Sequence, residues 1–221
     1  MLDSNFSEVQ KQITDDLRIQ ICLSGKNEQI TLHETEIAKR YGVSRTPVRQ
    51  VLQYLAHSLI VETQRGYGTV VVPLKPAQRR IEITSFVALA KAAALSLEGQ
   101  KVPNEVVAGL VRLQTWLILL ETRDEKEFVE LYKRLASIMS SIIQDGLLRQ
   151  AYSIAFWRVI RWRVQDIRHN EELNWFKLEA GIEETIEAAK NLNASDLMEF
   201  SANMGKRHIN PEDNVTKDDK T

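Results

Sequence analysis

The chain has 221 residues, 29 basic and 30 acidic, with a net charge of −1. That length allows one large or two modest domains, and the near balance of charge excludes a globally basic nucleic-acid coat, so any DNA affinity must come from a local patch. Cys22 is the only cysteine, which excludes a disulfide framework or thiolate metal cluster within the chain and fits a reducing cytoplasm.

Phe6, Val9, Ile13, Leu17 and Ile21 recur at steps of three or four and predict a first helix, with Ser4 or Asn5 as its cap. Residues 24–29 form a polar loop, and 30–32 a brief extended piece that pairs with a later hairpin. Thr31 or His33 opens a second helix, where Ile37 and Ala38 sit one turn before Tyr41. Gly42 supplies a turn with positive φ. Ser44 is then a good N-cap, and Pro47 falls in the first turn of a third helix, where its missing N–H costs little. Val48, Val51, Leu52 and Leu55 make the buried stripe of that helix. Its other face carries Arg45, Thr46, Arg49, Gln50 and Gln53, with no acid among them. Residues 60–63 and 69–72 are β-prone, and 64–68, with Gly66 and Gly68, close them into a hairpin.

Pro73 and Pro76 mark a domain boundary and a short, stiff linker. Beyond it lies no β-rich run. Helices are expected at about 77–99, 104–121, 124–143, 146–168, 171–190 and 194–208. The breaks between them are short and polar, as in an antiparallel helical bundle. The tail from 210 is mostly Asp, Lys, Asn and Thr without an apolar partner and is expected to be disordered. No signal peptide is expected, because no basic segment followed by an apolar core opens the sequence. The most apolar run, 86–97, is interrupted by Lys91 and is too short to span a bilayer.

The third helix has the character of a DNA reader. Two arginines one turn apart, flanked by small hydroxyl residues, suit a major groove. Arginine can grip guanine O6 and N7 with two hydrogen bonds, worth roughly 1–3 kcal/mol of discrimination. Ser44 and Thr46, with the free amides of the helix start, can hold a phosphate. The basic hairpin tip can reach the minor groove or backbone beside it. A winged helix can also serve as a protein-interaction module.

The run GVSRTPVR at 42–49, then Leu52 and Leu55, then LIV at 59–61, then RGYG at 65–68, resembles the winged helix-turn-helix of the GntR family of bacterial regulators. The resemblance spans roughly residues 6–74. It implies operator contacts from Ser44, Arg45, Thr46 and Arg49, with Arg65 and Gly66 at the wing tip. It points also to Thr35, at a position where some relatives carry a basic residue. Gln50 stands where an acid is usual, and Asn27-Glu28 replaces the commonest loop pattern. A winged helix followed by six helices resembles the FadR subgroup, with the shorter, six-helix form of its C-terminal (FCD-type) effector domain. The arginine and glutamate usual in the first bundle helix are missing from 87–91.

Many such relatives bind a divalent metal through an aspartate and histidines. Those first two motif positions align here with Phe128 and Tyr132, which cannot ligate. The later histidine position falls near Glu183 or Thr185. The expectation is therefore no metal and no cofactor; Glu130, Glu183 and His208 are the remnants from which any residual site would be built. The segment FWRVIRWR at 156–163 suggests a replacement. Arg158, Arg161 and Trp162 lie on adjacent turns and can bind a carboxylate with an apolar body by fork hydrogen bonds and stacking. Phe128, Tyr132, Arg112 and Trp116 are candidate walls. The bland reading is that the tryptophans are core and the arginines snorkel or pair with acids. The histidines, His33, His57, His169 and His208, are scattered over loops and helix ends. No phosphate loop or nucleophile elbow supports an enzyme.

The sequence thus predicts a mainly α protein in two domains. Residues 1–74 form a winged helix-turn-helix and 75–209 an all-α antiparallel six-helix bundle that binds effector and dimerises, with a tail at 210–221. The expected function is a cytoplasmic, ligand-responsive transcription regulator, in sense a repressor. It would bind an inverted-repeat operator as a homodimer and take a small carboxylate effector. The alternatives are a winged-helix protein-interaction adaptor and a helical-bundle enzyme.

Overall fold

The computed structural model describes residues 6–25, 30–64 and 68–207. The expectations placed on Ser4, Asn5, Asn27, Glu28, Arg65, Gly66, His208 and the tail lie outside the described residues. The protein is mainly α, with a small sheet in the first of two compact units, Met1–Leu74 and Lys75–Thr221. Among the described residues no helix is long and apolar enough to cross a membrane.

The first unit runs α1 (Glu8–Leu23), β1 (Thr31–Leu32), α2 (Glu34–Tyr41), α3 (Arg45–His57), β2 (Val61–Gln64) and β3 (Gly68–Val71). The cap of α1 is Ser7, not Ser4 or Asn5. The Ser7 hydroxyl accepts from the Gln10 amide at 3.3 Å, and the Gln10 side chain accepts from the Ser7 amide at 3.0 Å. This reciprocal pair satisfies two of the amides a helix start leaves open. The buried face of α1 is also rotated from expectation. Val9 is exposed, while Gln10, Thr14 and Arg18 are buried beside Ile13, Leu17 and Ile21.

Those polar groups stay inside because each has a partner. Arg18 Nη2 donates to the Tyr54 hydroxyl at 2.9 Å, with its guanidinium 5.1 Å from that ring. Gln10 Nε2 donates to Gln50 Oε1 at 2.8 Å, so the glutamine on α3 ties the reading helix to α1. Ile13, Leu17, Ile37, Val48, Val51, Leu52 and Leu55 form one core with Val61 and Val71. The sheet order is β1-β3-β2, antiparallel throughout, with Thr31 opposite Val70 and Val61 opposite Val71.

The second unit holds α4 (Pro76–Ser96), α5 (Asn104–Ile118), α6 (Glu125–Ser141), α7 (Gly146–His169), α8 (Glu171–Asn191) and α9 (Ala194–Lys206). Asp124, Asp145, Asn170 and Asn193 cap their helices, each side chain accepting an amide three residues on. Asn170 alone separates α7 from α8, and the two helices pack, so the chain reverses there. The most extensive helix packing joins α4 to α9. A Cβ on Gly205 would stand 2.9 Å from Phe86 Cε1 and 3.1 Å from Val87 Cγ2, both on buried side chains of α4. Alanine gains roughly 1 kcal/mol of helix propensity. Overpacking costs roughly 1–3 kcal/mol. Gly205→Ala is therefore expected to destabilise the helical unit by about 1 kcal/mol net. Urea unfolding followed by tryptophan fluorescence measures this, since Trp116, Trp157, Trp162 and Trp175 all lie in this unit. A more stable variant would mean that α9 shifts freely.

Candidate nucleic-acid interface

Gly42 ends α2 with φ 65°, where a side chain would be strained although space is open. The Val43 amide reaches back to the Ala38 carbonyl at 3.0 Å, closing the turn that aims α3 away from α2. α3 then presents Ser44, Arg45, Thr46, Arg49, Gln50 and Gln53 to solvent, with Val48, Val51, Leu52 and Leu55 beneath. Ser44 is the N-cap, but its hydroxyl accepts no amide of α3. Ser44 and Thr46 are both exposed, so their hydroxyls, with the uncapped amides of the helix start, can meet a phosphate. Thr35 is exposed on the first turn of α2. His57 turns back on its own helix, Nδ1–H donating to the Gln53 carbonyl at 2.7 Å.

The residue missed by sequence reasoning is Glu34. No acid lies on the outer face of α3, but α2 delivers one to it. Glu34 Oε1 accepts from Arg49 Nε at 2.8 Å and Oε2 from Arg49 Nη2 at 2.9 Å, while Arg45 Nη2 reaches Oε2 at 3.2 Å. The Arg49 guanidinium, ahead of the opposing effect of burial, holds the Glu34 carboxyl below its usual range; it stays ionised at neutral pH. Glu34, Thr35, Arg45, Arg49 and Gln53 border a cleft of about 500 Å³ closed on its other side by Thr63, Gly68 and Thr69 of the hairpin. Cation, hydroxyl and hairpin thus share one concave face.

In the helical unit the six expected effector residues do not converge. Arg158 Nη2 donates to Glu82 Oε1 at 2.7 Å, and Trp162 Nε1 donates to Glu82 Oε2 at 2.8 Å. Glu82 on α4 is buried and commits both of those α7 side chains. Arg161 is buried and Arg112 is exposed on α5. Phe128 packs edge-on against Tyr132 and Trp175, and Trp116 lies under Arg134, 4.4 Å from its ring. Among the described residues no three His, Cys, Asp or Glu are grouped to hold a metal.

A cavity of about 80 Å³ lies instead among α4, α6, α7, α8 and α9. Tyr132 is the one expected residue on its wall. Arg163 provides the charge, with Ser201 and Thr185 nearby, and Met139, Met204, Phe86 and Phe156 form its apolar walls. Arg163 is 3% exposed. It donates to the Tyr132 hydroxyl at 3.1 Å and to Asp166 Oδ2 at 2.9 Å. Lys177, exposed on α8, borders the same cavity.

The bacterial regulatory proteins of the gntR family match residues 9–71, the whole of the core from α1 to β3. The first unit is a gntR-family helix-turn-helix. Residues 9–71 therefore form a helix-turn-helix of this family's type. Solved structures extend the likeness to the helical unit. McbR/YncC of E. coli is 17% identical over 91% of this chain and 95% of its own, with a TM-score of 0.63. A GntR protein of Rhodococcus sp. RHA1 is 17% identical over 92% and 100%, with a TM-score of 0.55. At that identity they share the fold. No curated protein matches the chain.

Proposed function

We propose that this gntR-family protein is a ligand-responsive repressor, binding an inverted-repeat operator as a homodimer through the α3 face. Its helical unit is of the FadR-subgroup type and takes a small carboxylate. The reading rests above all on Arg45 and Arg49, which stand exposed and one turn apart on a helix whose opposite side is wholly buried. Each enters the major groove, with Ser44, Thr46 and Thr35 on flanking phosphates and Arg65 and Gly66 of the wing on the adjacent backbone. Two-fold pairing of subunits presents two such helices to two half-sites.

The effector reading rests on Arg163 and Tyr132 at the bundle cavity. A cavity of about 80 Å³ is far smaller than the roughly 300–1,000 Å³ of drug-sized sites. The acid it favours has only a few carbons, unless the two methionines give way. Its carboxylate meets Arg163 and its apolar body the aromatic wall. Regulation requires that this acid bind unequally to the DNA-competent and DNA-incompetent states.

Duplex binding by the full chain is expected to weaken by orders of magnitude between about 50 and 200 mM salt. A panel of short-chain and aromatic carboxylic acids should contain one that raises the melting temperature and releases the duplex. Arg163→Met is expected to lose both responses. Salt-independent binding, or no duplex binding at all, would favour a protein-interaction adaptor instead.

A further inference from the structure

The ion pair at the reading face is asymmetric in a way that bears on sequence discrimination. A guanidinium has two donor edges. Glu34 takes the side edge of Arg49, both Nε and Nη2, in parallel bonds of 2.8 and 2.9 Å. The end edge, formed by Nη1 and the second hydrogen of Nη2, points away from that carboxylate. It offers two parallel donors with the spacing that guanine O6 and N7 accept. Arg45, by contrast, touches Glu34 through a single Nη2 at 3.2 Å and keeps its freedom.

We propose that Glu34 is a specificity-determining residue: it holds Arg49 side-on, so that the arginine reads guanine with its end edge. This deepens the DNA-binding reading above and rests on it. Both Glu34 oxygens already accept from arginine donors, so its first commitment is to orient Arg49. Its work is done through Arg49 in three ways. A fixed guanidinium loses less freedom when it docks on a base. An arginine tethered to a carboxylate is poorly placed to swing to a phosphate, the contact that carries no sequence information. A negative charge beside the groove also lowers affinity for every duplex alike, and so lowers the background against which the right base is chosen.

Selection from a random duplex pool with the full-length protein tests this, followed by anisotropy titration of the selected duplex and its single-base variants. The wild type is expected to enrich a guanine in each half-site and to discriminate against its replacement by roughly 5- to 150-fold, the worth of one bidentate contact. Arg49→Ala should lose that guanine. Glu34→Gln, of the same shape, should cut the discrimination to about threefold or less while binding mixed-sequence duplex several-fold more tightly. Glu34→Asp, with the carboxylate drawn back by one methylene, should fall between them and guards against a folding defect in the glutamine variant. If Arg49→Ala loses the guanine but both Glu34 variants keep wild-type discrimination, Glu34 is only a competitor for the arginine and the inference fails. If Arg49→Ala also leaves the enriched sequence unchanged, the reading face itself is misassigned and the inference falls with it.

Discussion

Replacing Arg45 and Arg49 together by alanine is expected to lower operator affinity by about 30-fold to 10⁴-fold per half-site, two contacts at roughly 1–3 kcal/mol each. The slope of log affinity against log salt should flatten as well, wherever either arginine neutralises a phosphate. The helical unit should unfold as before. Both side chains are more than half exposed, and their pairing with Glu34 is a solvent-screened surface ion pair that contributes little to stability. Beneath them Val48, Val51 and Leu55 are fully buried and untouched by the change. Anisotropy on a selected duplex reads the first effect and circular dichroism the second. A variant that still binds with wild-type affinity and salt slope would show that another surface carries the DNA.

Much of this interface was legible because its signals are local. Gly42 had to adopt a positive φ, and it does, at 65°. The spacing of Val48, Val51, Leu52 and Leu55 by threes and fours fixes which side of α3 is inward, and hence which residues are left outside. Helix boundaries in the second unit were legible for the same reason: Asp124, Asp145, Asn170 and Asn193 carry both the break and the cap. The apolar stripe, which begins at Phe6, points to a start of α1 before Ser7, although Ser7 and Gln10 have the spacing of a reciprocal cap. Arg18 and Gln10 do not look like core residues until Tyr54 and Gln50 are seen beside them.

What could not be read is any choice between partners distant in sequence. Periodicity places Arg158, Arg161 and Trp162 on adjacent turns of α7. It says nothing of Glu82, 76 residues before Arg158, which engages two of the three. Nor does it tell that Arg163, the next residue along, is the one turned toward the cavity. Glu34 was hidden in the same manner. An acid in the first turn of α2 looks like ordinary helix-dipole complementarity. Only the Gly42 turn brings it under the two arginines of α3.

Asp166→Ala is expected to destabilise the helical unit by about 3–5 kcal/mol, the largest effect of any single change proposed. Asp166 accepts from Arg79 Nη1 at 2.7 Å and Nη2 at 3.0 Å, and from Arg163 Nη1 at 2.9 Å. The side chain of Arg79 is only 12% exposed and that of Arg163 only 3%. One carboxylate therefore compensates two largely dehydrated cations, one on α4 and one on α7. The bonds that Arg163 makes to Tyr132 and Asn174 go to neutral acceptors and do not balance charge. The loss should exceed that from Asp166→Asn, which keeps an acceptor. Replacing Arg79 and Arg163 by methionine and Asp166 by leucine together should recover much of it, because a buried ion cluster is dear to break but not dear to exchange for apolar packing. Urea unfolding followed by tryptophan fluorescence isolates this unit, as every tryptophan lies within it. An alanine variant within about 1 kcal/mol of wild type would mean that water reaches both guanidinium groups and that Arg163 is not held rigidly at the cavity wall.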